Sequence, residues 1–296
     1  MGIRIRSTGA SVGGDSHSVV EHSGRAAREA VARAGIRPDQ VGVFINTGIF
    51  RDSNTVEPAV AALIQKEAGI GLDYVKNDSH TFGFDLMNGA TGVLNAVQVA
   101  SAIVATGTEH VLIVAGDTHP SLTRSAADAA FPFATSGAAL LLESSDDAIG
   151  FGPVHFATAP GSPAESAYVD TAKMGTTGRS MMTVERDADY EDRILDVAVE
   201  VGRLALADAE PDARVAVIAS TPSAEFPARV AKSLNLGDVR LPDLGAGDPH
   251  TAALPLAYDR ALVDGTLDGF THVLFVAAGA GPSAAASLYR LPEPTA

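Results

Sequence analysis

Phe84-Asp85-Leu86-Met87-Asn88-Gly89-Ala90-Thr91-Gly92 is a strand end that leads into a long apolar helix running from about Ala90 to Ala105. A segment of this shape has the form of an active-site elbow, which offers the side chain at its tip for nucleophilic attack. The segment reads as such an elbow with its nucleophile missing.

Reading outward from the elbow, the chain is built twice. Ala34 to Ile45 (AGIRPDQVGVFI) is echoed by Ala209 to Ile218 (AEPDARVAVI): an Ala-rich helix ends, a Pro-Asp turn follows, and an apolar strand begins. His110 to Gly116 (HVLIVAG) is echoed by His272 to Ala278 (HVLFVAA), and a helix over Pro58–Ala68 by one over Pro227–Leu236, each with a proline near its first turn. The long helix of the second half is expected over about Thr251–Val263, and the closing strands over Ala138–Glu143 and Ala284–Leu291. Short unbroken apolar strands alternating with helices predict parallel strands covered on both faces. Ala157 to Met182 is rich in Gly, Pro, Ser and Thr, has little periodicity, and reads as a loop that moves or meets a partner.

Composition narrows the classes of function. With 296 residues, 46% hydrophobic and 19% charged, the chain can bury a substantial core. A formal net charge of −15 argues against nucleic acid, and disfavours docking on acidic carriers or anionic membranes without a local basic patch. No apolar run is long enough to span a bilayer, and the N-terminus alternates like a strand, so a cytoplasmic protein is expected. The chain has no cysteine, which removes disulfides and thiolate metal ligands; its eight histidines show no HxxxH or HExxH pairing, so no metal is expected.

The elbow resembles that of condensing enzymes of the thiolase superfamily, where Phe-Asp leads to Cys-x-Gly at the start of a buried helix. Over nearly the whole chain the likeness is to the β-ketoacyl synthase III family. Glu57 to Ile70, Phe133 to Leu142, Gly247 to Leu256 and Gly279-Ala280-Gly281 follow that family's segments in order. The resemblance implies an α/β thiolase-like fold of duplicated five-layered αβαβα halves with pseudo-twofold symmetry: residues 1–156, a linker 157–182, and 183–296. It implies a catalytic Cys, His and Asn, which fall by position on Ala90, Ser220 and Asp248. All three differ from the family pattern. Met87, Thr91 and Gly281 are the positions implied to contact substrate, and no cofactor is implied. The family's Trp and Arg that hold coenzyme A at the tunnel mouth have no counterpart, since the chain has no Trp.

Other residues carry weaker signals. Asp248 also reads as the N-cap of the helix near Thr251. Gly14-Asp15-Ser16 imitates a hydrolase motif, although capping explains Asp15 and Ser16 before a helix near Ser18. His80, His119 and His250 lie nearest the implied cleft, and His250 is the best substitute catalyst among them. Met181 and Met182 read as core. Three functions follow from the resemblance. One is a non-catalytic partner that dimerises with itself or with an active synthase III paralogue, through an edge near Tyr74–Ser79. Another is an acyl-thioester enzyme, such as a decarboxylase or cyclase, that uses Ser220, Asp248 or His250. The last is an acyl-chain binding protein. Acyl-coenzyme A or acyl-carrier protein is the implied ligand in each.

Overall fold

A computed structural model describes residues 2–71, 80–122, 131–145, 148–172, 181–237 and 247–293. The elements of the first half are β1 (Gly2–Val12), α1 (Val19–Ala34), β2 (Val43–Asn46), α2 (Val60–Ala68), β3 (Phe82–Asp85), α3 (Gly92–Val104), β4 (His110–Asp117) and β5 (Ser136–Ser145). There follow β6 (Gly150–Phe151), β7 (His155–Thr158), β8 (Glu165–Tyr168) and β9 (Thr183–Arg186). The second half continues with α4 (Tyr190–Leu206), β10 (Val215–Ala219), α5 (Phe226–Ser233), α6 (Ala253–Val263), β11 (His272–Gly279) and β12 (Ser283–Arg290).

The described strands form two large sheets, with orders β1-β5-β4-β2-β3 and β10-β11-β12-β6, β7 also pairing with β12, and a small antiparallel β8-β9 sheet. As the apolar runs predict, β2 pairs in parallel with β3 and β4, and β10 with β11. The period-two alternation of side chains then sorts the core into layers. Val43, Ile45, Val111, Ile113, Leu140 and Leu142 face inward onto α3 and α6. Their neighbours Phe44, Leu112, Val114 and Leu141 face outward onto α1 and α2. In the second sheet Val273, Phe275 and Ala277 face α3 and α6, while Leu274, Val276 and Ala278 face α4 and α5. The result is helix, sheet, helix, sheet, helix, with α3 and α6 as the shared middle layer.

The structure moves several expected boundaries. Both central helices begin later than their sequence suggests, because a 3-10 turn precedes each: Gly89–Thr91 before α3 and His250–Ala252 before α6. The stretch 157–182 is not wholly irregular, since β7 reaches Thr158 and β8 lies within it. Both β6 and β7 join the second sheet, so the chain enters the second half's architecture from residue 150. The expected edge segment Tyr74–Ser79 lies outside the described residues; at the described edge stands β3, where Phe82 is 66% exposed.

The halves are also clamped at one polar point. Asp259 on α6, 3% exposed, accepts the Thr8 hydroxyl at 2.6 Å and pairs with Arg33 of α1 at 2.5 Å. Nearby, β1 and α1 approach so closely that a Cβ on Gly9 would lie 2.1 Å from the Ala26 carbonyl oxygen. The nearest atoms, from Ala26 and Ala30, are all backbone, which cannot swing aside. Gly9→Ala is therefore expected to cost about 2 kcal/mol or more through overpacking, and urea titration of the variant against the parent chain measures it.

Candidate active site

The elbow is held by its acid. Asp85 accepts the backbone N–H of Val60 at 2.9 Å and of Ala61 at 2.8 Å, and the Asn46 amide at 3.0 Å. It thus caps α2 from across the sheet, which places a carboxylate where the helix dipole favours one. Gly89 then turns the chain with φ of +52°, and the Gly89–Thr91 turn delivers Ala90 to a buried position. A Cβ on Gly279 would come within 3.2 Å of the Ala90 methyl, so β11 approaches the tip on bare backbone. Thr91 is buried, and its hydroxyl donates to the Asn88 carbonyl at 2.9 Å.

The other two positions implied by the resemblance are engaged in structural bonds. Ser220 ends β10, 4% exposed, and its Oγ accepts the Ala278 N–H at 3.0 Å, tying β10 to β11. Asp248 does not cap α6, which has no side-chain cap. Its Oδ1 accepts the His250 N–H at 2.8 Å and its Oδ2 meets Arg186 at 3.2 Å. Arg186 comes from β9, bonds Glu165 of β8 at 2.6 Å, and lies over the rings of Phe133 and Tyr190, 5.2 and 4.6 Å from their centroids. Burial raises the Asp248 pKa above the ordinary carboxylate value, against the pull of His250 and Arg186. Tyr190 is pushed far up, first by burial and then by Glu165, and stays neutral.

At the centre is Asp117, wholly buried at the end of β4. Oδ1 accepts the N–H groups of Ile49 at 3.0 Å and Phe50 at 2.7 Å. Oδ2 accepts from the backbone and hydroxyl of Thr251, at 3.1 and 2.5 Å, and meets His250 Nδ1 at 3.1 Å. The imidazole stacks on Phe133 at 4.2 Å, and its residue holds a left-handed backbone, φ +48°. Burial works against the imidazolium, yet Asp117 by charge and hydrogen bond, with Asp248 and Glu165 behind it, holds the His250 pKa above the ordinary histidine value. The turn carrying Ala90 packs against the turn carrying His250. The arrangement offers no described nucleophile at the elbow; it does offer a carboxylate-backed imidazole that can take and return a proton.

The remaining candidates fall elsewhere. Met87 is 49% exposed beside the Arg51 guanidinium, and Gly281 is exposed in the β11–β12 turn, so neither lines this pair. His80 is exposed, while His119 sits edge-on to Phe131, 4.8 Å away, with Nδ1 bonded to Ser121. Met182 packs on the Phe50–Phe131–Phe133 cluster as core, but Met181 is exposed. The helix cap expected of Asp15 and Ser16 belongs to Ser18, whose Oγ accepts Glu21 N–H at 3.2 Å; Ser16 only braces Ser18. Asp117 and Arg186 escaped the sequence reading. Asp117 is the last residue of β4, and a charge that closes an unbroken buried run is the signal that marks it. Arg186 has no local signal, since β8 and β9 are too short to show a period.

With the geometry in hand, the chain can be set beside known proteins. Residues 84–160 match the family model for 3-oxoacyl-[acyl-carrier-protein] synthase III. The β-ketoacyl-[acyl-carrier-protein] synthase III of Streptomyces lividans is 25% identical, over 91% of this chain and 79% of its own length. The priming β-ketosynthase of the R1128 polyketide biosynthetic pathway superposes with a TM-score of 0.80 at 20% identity, covering 99% of this chain and 97% of its own. The 3-oxoacyl-(acyl carrier protein) synthase III of Pseudomonas aeruginosa PAO1 gives 0.80 at 16% identity, covering 99% of both chains. Among the described residues no helix is long and apolar enough to cross a membrane, and no group of acids and histidines is arranged to hold a metal ion.

Two expectations follow. Asp117→Ala strips five donors of a buried acceptor and is expected to cost about 3 kcal/mol or more, measured by urea titration. A histidine whose pKa is raised by folding contributes stability that is full below its unfolded value and is lost as pH rises through the folded one. The stability difference between the parent chain and His250→Gln should therefore shrink as pH rises from about 6.5 through the raised value. A difference that grows over that range would reverse the assignment.

Proposed function

We propose that this chain, a β-ketoacyl synthase III-like protein of the thiolase superfamily, forms no covalent acyl-enzyme and works as the non-condensing partner of a second thiolase-fold subunit that supplies the cysteine. The observation behind this reading is the fate of the positions implied by the resemblance. Ala90 has no reactive atom, the Ser220 hydroxyl is engaged by a strand N–H, and the Asp248 carboxylate is engaged by Arg186 and a backbone N–H. Restoring one of them would not restore the set.

The sheet edge supports the second clause. Strand β3 leaves one flank without a described neighbour, and its Phe82 is exposed with Phe84 half-buried beside it. The two rings lie 5.4 Å apart and make an apolar strip along an edge that could pair with another strand. Both the relatives' printed names and the fold fit a subunit in fatty-acid or polyketide-type biosynthesis, handling an acyl chain on coenzyme A or a carrier protein.

Two measurements test the proposal. Intact mass after incubation with acyl-coenzyme A and acyl-carrier protein thioesters is expected to show no adduct in the parent chain, and no more than a minor, slowly formed one in Ala90→Cys, whose single thiol is buried. Light scattering is expected to give a dimer that Phe82→Lys shifts toward monomer by at least tenfold in dissociation constant, about 1.4 kcal/mol. A stable acyl adduct on Ser220 or Thr91 would overturn the first clause, and a monodisperse monomer, alone and with a condensing paralogue, the second.

A further inference from the structure

We propose that His250, positioned by Asp117, is the general base of a non-covalent reaction at this same site, the removal of the α-proton of a 3-oxoacyl thioester. The inference rests on the reading above that no acyl-enzyme forms, and gives the site a chemistry of its own.

The geometry has four parts. Asp117 Oδ2 takes the Nδ1 side of the ring at 3.1 Å, which leaves Nε2 as the nitrogen for exchange. Nε2 has no hydrogen-bond partner among the described residues, is not one of the fully buried polar atoms, and belongs to a side chain that keeps 12% exposure. Phe133 stacks on one face at 4.2 Å and Phe50 stands at 5.8 Å, so the ring cannot swing away from its acid. Finally, the backbone of His250 is held at φ +48°, which costs a β-carbon-bearing residue about 1 kcal/mol or more and concentrates at functional positions. A histidine needed only to fill space beside Phe133 would not require that backbone.

The substrate class follows from acid strength. An imidazole is far too weak a base for the α-hydrogen of a simple thioester, and proton transfer is efficient only when donor and acceptor are near in pKa. A second carbonyl at the β-position brings the C–H acid toward that range. In the step, Nε2 takes the proton, the C–H pair becomes the C=C bond of the enolate, and charge moves to oxygen; the imidazolium then returns a proton to carbon. Nothing is oxidised or reduced and no co-reactant is needed. A 3-oxoacyl thioester is what a condensing reaction produces, so this site would act after one.

The test is deuterium exchange of the α-methylacetoacetyl thioester of N-acetylcysteamine in deuterium oxide, followed by proton NMR with the full chain. We expect the parent chain to exceed His250→Gln at least 100-fold, the lower range for a positioned base. The rate should rise with pH to a plateau, because the base must be neutral. Three charged groups act on the ring, Asp117 from β4, Asp248 beside it and Glu165 from β8, and Arg186 from β9 pairs with the last two. Asp117→Asn removes a charge that raises the His250 pKa, so the plateau should be reached at lower pH, a displacement that mere loosening of the fold would not produce. Parent-chain exchange no faster than His250→Gln overturns the proposal. So does an unmoved profile in a folded Asp117→Asn. A covalent adduct in the mass measurement would instead overturn the non-acylating reading, with the exchange result standing apart from it.

Discussion

The carboxylate of Asp117 joins what the duplication would otherwise leave as two stacked halves. It accepts from the loop after β2 in one half and from the turn before α6 in the other, all at a position sealed from water. An ionised acid in such a place is tolerable only because its donors are many and aimed at it. Backbone N–H groups provide most of them, and these follow from where the strands end. The imidazole of His250 is the one titratable donor in the set. Its charge state is therefore coupled to the joint between the halves, and any proton it gains or loses is felt by the anion that holds them together.

The three positions implied by the resemblance are satisfied locally, and a buried polar group left without a partner costs about 1–3 kcal/mol. Ala90 needs no partner, Ser220 has a strand N–H, and Asp248 has both a backbone N–H and Arg186. Asp248 and Arg186 act as one unit, an ion pair at 3.2 Å. A carboxylate placed beside Asp117 would repel it; a guanidinium from β9 offsets that charge, and Glu165, Phe133 and Tyr190 fix where the guanidinium lies.

The fold was legible because it is repeated. Two copies of an apolar strand after a Pro-Asp turn, and two long central helices, fix parallel pairing and a shared middle layer, since a strand buried on both faces needs helices on both. The elbow was legible at Ala90 for a different reason: Phe84-Asp85 and Gly92 constrain the backbone around it, as Asp85 capping α2 makes clear. The boundaries of α3 and α6 were not, because a 3-10 turn and an α-helical turn use the same residues and differ only in hydrogen-bond reach. The contents of the site were least legible. His250 could be singled out by its place two residues after Asp248, but its acid comes from 133 residues away in sequence. No local pattern reports such a pair.

The same distance bears on where the imidazole stands. The position that the resemblance assigns to an imidazole is the end of β10, where Ser220 ties that strand to β11. Here the imidazole stands on the turn before α6, across the joint from β10, and is backed by an acid at the end of β4. A strand-end side chain is fixed by the sheet, while a residue on a turn at φ +48° is fixed by its partners, so Asp117 and Phe133 supply the rigidity of this ring. That arrangement suits the proposed reaction, which has no covalent intermediate. The base then needs only to hold one proton in a defined direction, and a single carboxylate behind the ring is enough to define it.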